Sequence, residues 1–349
     1  MAFPPIDLPI APPYPPMEST PAARIPRGDD WQYEPKWDGF RCLAFRRGRD
    51  VLLQSKSGQP LTRYFPEIVA ALSALAPSTF VLDGEIVIFH GEELSFDDLL
   101  QRIHPAESRI RKLAAETPAT LLVFDLLVDA RGHALVDRPL SDRRERLDAF
   151  MHDVQATGRV DLSPVTTSHS QAERWMQELG AAGLDGIVAK RRSMEYRSGK
   201  RDGMVKIKRI RTADCVVGGF RYASKGNALG SLLLGLYDEG GNLDHCGFTS
   251  SFTASEREAI AETVLPLQGG RGFTGRAPGG PSRWSTERSG EWEPVDPVLV
   301  CEVRYDHFSG GRFRHGTKFL RWRPDKAPRQ CTFDQVTRRK SASSSRARS

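Results

Sequence analysis

From about Trp31 to Lys208 the chain alternates short apolar runs with stretches of mixed apolar and charged residues. Phe40–Phe45, Phe80–Phe89, Thr120–Leu127 and Gly186–Lys190 are rich in β-branched and aromatic residues and read as strands. Helices fall between them. The segment after Ser141, DRRERLDAFM, begins on a residue suited to cap a helix, and QAERWMQELG closes on Gly180, where a helix C-cap is expected. Both read as surface helices with one apolar face. After Ile210 the pattern changes to glycine-punctuated strands, CVVGGFRYA, SLLLGLYDE and NLDHCGFTSSF, with one helical stretch near Ser255–Leu265 and a further strand at Val298–Tyr305. Gly269–Arg288, rich in Gly, Pro, Ser and Arg, reads as an exposed loop.

The change near Ile210 divides the 349 residues into a domain of mixed helix and sheet over 1–209, including an extended proline-rich N-terminal segment, and a β-rich domain over 210–335. A chain of this length can bury a core in each. Residues 336–349 end in RRKSASSSRARS, basic and low in complexity with almost nothing to bury, so disorder is expected there. The prolines at the start favour an extended polyproline II path, and no basic leader with a continuous apolar stretch follows, so no secretion signal is read. Apolar runs such as Leu121–Val128 are broken by charge well before the roughly 20 residues a membrane span requires.

Composition narrows the class further. With 39% hydrophobic and 27% charged residues the chain has the balance of a soluble globular protein. Its cysteines, Cys42, Cys215, Cys246, Cys301 and Cys331, are dispersed, with no Cys-x-x-Cys to hold zinc, which points to a reducing cytoplasm. The net charge of +6 and the pI of about 9.1 favour a polyanionic partner.

The strongest local signal for chemistry is Glu34-Pro35-Lys36-Trp37-Asp38-Gly39-Phe40-Arg41, a lysine in a turn leading into a strand, with Gly39 supplying a tight backbone. A protonated lysine is a poor nucleophile, so a catalytic one needs its pKa depressed by burial or nearby cations, and Arg41 or a metal ion could do this. Glu85, in VLDGEIVIF, is an isolated carboxylate amid strand residues and is expensive to bury without a partner. Lys206 and Lys208 in MVKIK share one strand face by the period of two.

These residues resemble the covalent nucleotidyltransferases, the superfamily of ATP-dependent DNA ligases, RNA ligases and mRNA capping enzymes. Lys36 matches the lysine of Lys-x-Asp-Gly-x-Arg, which in that family attacks the α-phosphate and holds the nucleotide as a phosphoramidate. Further blocks follow in order: Val81–Val87 is similar to the third motif, Thr120–Leu127 to the block whose aromatic, here Phe124, stacks on the adenine, Leu184–Lys190 to the fourth, Met204–Lys208 to the fifth, and Phe319–Lys326 to the sixth. Three positions depart from the family: Asp185 stands for the usual glutamate of the fourth motif, Met204 for a common aromatic, and Lys56, in Gln54–Gly58, for a common arginine that would bind phosphate bidentately. Arg201 fits the arginine that commonly precedes the fifth motif.

The resemblance implies an α+β fold, with an ATP-grasp-like nucleotidyltransferase domain of antiparallel sheets and helices followed by an all-β oligonucleotide-binding (OB) barrel. It implies catalytic roles for Lys36, Arg41, Lys206 and Lys208. It implies an ATP site of Glu34, Lys36, Arg41, Lys56, Glu85, Phe124, Arg201, Lys206, Lys208, Arg323 and Lys326, with Mg²⁺, or Mn²⁺ in its place, held by Glu85 and Asp185. Positioned cations of this kind absorb the charge that builds on the phosphate oxygens and departing pyrophosphate. The sixth motif would serve lysine adenylylation across a hinge near Lys208–Arg211 and be dispensable for sealing.

The whole chain most resembles the minimal bacterial C- and D-type DNA ligases, so the expected partner is nicked or broken duplex DNA, joined in salt-sensitive fashion through phosphates. With no large domain expected ahead of Trp31, the enzyme would grip duplex with these two domains alone or be recruited by a DNA-end repair protein. A monomer in the cytoplasm, associated with the nucleoid and not with membrane, is expected. An RNA ligase or capping enzyme, told apart by GTP or RNA-end preference, and a non-catalytic OB module, told apart by failure to form a lysine adduct, are the competing readings.

Overall fold

The computed structural model describes residues 3–91, 93–154, 158–178, 184–223, 226, 228–279 and 291–336. The chain forms two compact units, Met1–Arg209 and Ile210–Ser349. In the first, a five-stranded sheet runs in the order Asp50–Ser55, Phe40–Arg47, Thr79–Val87, Thr120–Val128, Val160–Leu162. Its pairings are antiparallel except the last, which is parallel.

Strand alternation sends side chains to two cores. Cys42 and Ala44 join Phe80, Leu82 and the helices Pro66–Ala74 and Leu140–Asp153 on one face. Leu43 and Phe45 join Val81, Leu127 and the N-terminal residues Ile10 and Met17 on the other. Thr120–Val128 is buried along its whole length, as expected of a strand covered on both faces. A four-stranded sheet, in the order Thr20–Pro21, Met204–Lys208, Gly186–Arg191, Trp31–Lys36, packs its Tyr33, Ile187, Ala189 and Ile207 with Ala172 of the helix His169–Glu178.

Some local expectations change. The strand starting near Phe80 ends at Val87, and Phe89–His90 instead pairs with Glu93–Leu94 in a small hairpin whose Gly91 has φ 61°. The helix expected after Ser141 begins at Leu140, with Pro139 as its N-cap and no capping side chain. Its first free N–H groups are satisfied otherwise: Leu140 donates to Met194 O and Ser141 to Arg192 O, so no side-chain cap is required. The Gly180 C-cap lies outside the described residues. Gly39 does not adopt a left-handed angle; a Cβ there would stand 2.2 Å from Ile86 O, so the position needs space.

In the second unit the strands run Leu243–Thr249, Leu229–Tyr237, Arg211–Tyr222, Val300–Tyr305, Lys318–Trp322, all antiparallel, with Glu293–Pro294 also against Arg211–Tyr222. The two end strands approach through one isolated bridge, Thr249–Thr317. The sheet is therefore an OB fold without a closed barrel, and it is not all-β. Helix Ala254–Val264 starts at a capping box in which Thr253 and Glu256 satisfy each other's backbone N–H. The stretch expected to be an exposed loop is pinned in its described part, where Phe273 packs edge-on against His245 and Trp292, and Thr274 and Gly275 donate to Leu243 O. Its continuation from 280 and the basic tail from 337 lie outside the described residues. All the cysteines are free and buried, and among the described residues no helix is long and apolar enough to cross a membrane.

Candidate active site

Lys36 ends the strand Trp31–Lys36 on the wall of a cleft of about 870 Å³. Glu34, Arg41, Lys56, Glu85, Phe124, Arg201 and Lys206 line the same cleft. Pairing with the neighbouring strand sets Gly186 opposite Lys36, and Asp185 N–H donates to Lys36 O. Gly186 is required there, because its φ is 151° and a Cβ would stand 2.0 Å from Ile207 O. The Lys36 ammonium donates to Asp185 Oδ2 at 2.9 Å, and Lys208 Nζ lies 3.6 Å from the same oxygen. Burial pushes the Lys36 pKa down, but the charge and hydrogen bond of Asp185 outweigh it and the net shift is upward.

The expectation that Arg41 depresses the Lys36 pKa is therefore not met in this state. Arg41 is already neutralised: its Nε and Nη2 donate to Asp83 at 2.6 Å and 2.7 Å, and Asp83 is fully buried. Tyr196 donates its hydroxyl to the same carboxylate at 2.7 Å and accepts from Met17 N–H at 3.0 Å. Two cations also cover the Phe124 ring, Arg41 at 4.5 Å and Lys190 at 4.2 Å from the centroid. Phe124 is 6% exposed, so it presents little open ring to a purine until one cation moves. Glu34 is buried between Lys190, at 2.7 Å, and Gln32, at 2.9 Å.

Lys56, Arg201 and Lys206 make one wall of the cleft positive. The Lys206 pKa is lowered first by burial and then by Lys56, Lys36, Lys208 and Arg201, the mutual repulsion expected of a site built for an anion. Glu18 joins two of them, 2.9 Å from Lys56 and 3.2 Å from Arg201.

Comparison with known proteins decides the family. Residues 17–208 match the model of the ATP dependent DNA ligase domain, and 225–326 match the ATP dependent DNA ligase C terminal region. DNA ligase C of Mycobacterium tuberculosis is 43% identical over 348 residues, covering 95% of this chain and 96% of that one. The chain belongs to the ATP-dependent DNA ligases. The ligase is also 31% identical to the multifunctional non-homologous end joining protein LigD of Pseudomonas aeruginosa, over 89% of this chain and 35% of that protein. A solved Lig E DNA ligase shares the fold, with a TM-score of 0.55 at 16% identity over 88% of this chain and 100% of the other.

Two charged residues of the ligase's cleft, Lys190 and Glu18, stand outside the candidate site residues, although Lys190 ends the fourth-motif block. Lys190 had a signal in the sequence: a lysine inside an apolar strand needs a buried partner, the same argument that singles out Glu85. Glu18 had none, because its partners are set by the path of the N-terminal segment. Arg323 and Lys326 belong to the second unit and are held there by Asp214, at 2.9 Å and 2.7 Å, with Asp325 also 2.8 Å from Arg323.

Among the described residues no group of three or more His, Cys, Asp or Glu could hold a metal ion, so those residues offer no all-protein cage. Mg²⁺ usually takes one or two carboxylates together with substrate phosphate, and Glu85 suits that use. Burial pushes its pKa up to about 7 despite the nearby Arg41 and Lys36, which means that its charged form lacks compensation a cation would supply. Asp185 fits less well while Lys36 and Lys208 share its carboxylate.

The Glu85 shift carries a stability prediction. Between its ordinary 4.5 and about 7 the folded ligase keeps a proton that the unfolded chain has lost, so Glu85 costs stability as pH rises through that window. Glu85→Gln should therefore gain in melting temperature relative to the parent from pH 4.5 to pH 8. A constant difference across that range would refute the assignment.

Proposed function

We propose that this ligase seals breaks between 5′-phosphate and 3′-hydroxyl DNA ends by carrying AMP on Lys36. The observation that carries the reading is Lys36 at the wall of a cation-lined cleft, its ammonium 2.9 Å from Asp185 Oδ2. The Lys36 amine attacks the α-phosphorus of ATP, a nitrogen–phosphorus bond forms, the bond to the bridging oxygen breaks, and pyrophosphate leaves. The ammonium proton leaves to solvent before the attack, and Lys206, with Lys208 beside Asp185, offsets charge on the phosphates. A 5′-phosphate oxygen then takes the AMP, Lys36 regains its proton, and the 3′-hydroxyl finally attacks the activated 5′-phosphorus and expels AMP. Glu85 would hold Mg²⁺, whose chemistry is to neutralise phosphate charge; Mn²⁺ could replace it.

Residues 1–209 are the adenylation domain in this reading and 210–335 the OB domain, whose Arg323 and Lys326 exchange Asp214 for the departing pyrophosphate. Phe124 and Glu34 hold the adenine once a cation leaves the ring. The name of the LigD relative supports a place in DNA repair, with broken duplex as substrate and end-repair proteins as partners. The test is incubation with ATP, Mg²⁺ and a nicked duplex labelled at the 5′-phosphate. A longer labelled strand, dependent on ATP and not on GTP, is expected. AMP loaded on the protein with no DNA sealed, but RNA ends joined, would replace DNA ligation with RNA ligation.

A further inference from the structure

The N-terminal segment is stitched to both turns that carry the outer cations of the cleft. On one side Tyr14 N–H donates to the buried Gln54 side chain at 2.8 Å and Tyr14 O accepts from it at 2.7 Å; Lys56 follows two residues on. On the other side the Ser198 hydroxyl donates to Pro15 O at 2.7 Å, and Glu18 N–H donates to Lys200 O at 2.8 Å, next to Arg201. Beyond Glu18 the segment continues as Thr20–Pro21, paired with Val205–Lys206. The backbone of Glu18 is thus fixed on three sides, and its carboxylate is delivered between Lys56 and Arg201 rather than reaching them by chance.

A carboxylate in that position competes with any phosphate that enters. Lys56 and Arg201 are 57% and 68% exposed, against 20% for Lys36, so the pair is far more open to solvent than the nucleophile. We propose that Glu18 is an internal stand-in for a phosphate group: it occupies the Lys56–Arg201 pair and must be displaced by an incoming phosphate. It is a positioning residue that sets how tightly, and how selectively, the site takes phosphorylated substrate. The inference rests on the ligase reading above, which supplies two sources of phosphate, the triphosphate of ATP and the 5′-phosphate of a broken strand.

The sign of one substitution decides it. Exposed ion pairs are weak, so releasing two of them should matter by about three- to tenfold in affinity. Full-length parent, Glu18→Gln and Glu18→Asp are titrated with ATP without divalent metal, by calorimetry, and with nicked duplex carrying either a 5′-phosphate or a 5′-hydroxyl. Glu18→Gln should bind about three to ten times more tightly in one phosphate-bearing arm, leave the 5′-hydroxyl nick unchanged, and steepen the salt dependence of the arm that moves. Glu18→Asp should behave like the parent. The arm that moves names the source of the phosphate. Weaker binding by Glu18→Gln in both phosphate arms would make Glu18 a scaffold for its two cations, and unchanged binding would make it a bystander; either result overturns the inference. Because these are binding measurements, a parent that takes up no AMP would count against the ligase mechanism and not against Glu18.

Discussion

Lys36→Ala should lose AMP uptake from ATP by at least about a thousandfold, since no other group can replace the attacking amine. Labelling with α-phosphate-labelled ATP and separation of the protein under denaturing conditions reads it directly. Lys36→Arg should fail as completely: a guanidinium keeps the charge that Asp185 holds but stays protonated and cannot attack. Both variants should still seal a nick that already bears a 5′-adenylate, because that last step uses only the 3′-hydroxyl as nucleophile. This separates a missing nucleophile from a misfolded domain. AMP uptake retained by Lys36→Ala would remove Lys36 from the reaction.

The second large effect is on stability, at Asp83. Asp83→Asn should destabilise the first unit by about 3–5 kcal/mol, because breaking a buried pair leaves the partner charge uncompensated. The partner is Arg41, held at two points and lying over Phe124. Tyr196→Phe removes only a hydroxyl that bonds Asp83 and Met17, and should cost about 1–3 kcal/mol. Denaturant unfolding of the variants measures both. Equal, small losses would mean that the Arg41–Asp83 pair contributes little and that Arg41 is available to substrate phosphate after all.

The contrast at Arg41 shows where the sequence stops being readable. The strands of the first unit were legible because β-branched and aromatic runs with a period of two have few other uses. Phe40–Phe45 and Thr120–Leu127 both lie within observed strands. The cleft residues Lys36, Glu85 and Lys206 were legible as types, since each stands out against an apolar strand or in a motif. Their counter-ions were not. Arg41 reads as a cation for phosphate until strand pairing sets it beside Asp83. Lys56 and Arg201 read as free until the N-terminal segment delivers Glu18. Which carboxylate meets which cation depends on strand register and on contacts between residues far apart in the chain, neither of which local pattern encodes. The side-chain cap expected at the start of DRRERLDAFM failed for a related reason: carbonyls of residues 192 and 194 cap that helix from another part of the unit.

The pairings give the cleft of the ligase a consistent character. Lys36 and Lys208 face Asp185, Arg41 faces Asp83, Lys190 faces Glu34, and Lys56 with Arg201 faces Glu18. Among the described residues Lys206 has no salt bridge of its own, and it lines the cleft with a depressed pKa. In the proposed reaction a polyanionic substrate would exchange partners with these carboxylates as it binds, and cations held in place beforehand would lose less side-chain entropy.

The central claim, that Lys36 carries AMP from ATP to a DNA end, is tested most directly by a single-turnover chase. The ligase is loaded with α-phosphate-labelled ATP, freed of nucleotide, and mixed with an unlabelled nicked duplex bearing a 5′-phosphate. Label is expected to leave the protein, pass through a DNA-adenylate and end as free AMP, with one strand sealed for each AMP lost and no further ATP required. Label that stays on the protein while strands are sealed only on addition of fresh ATP would contradict it.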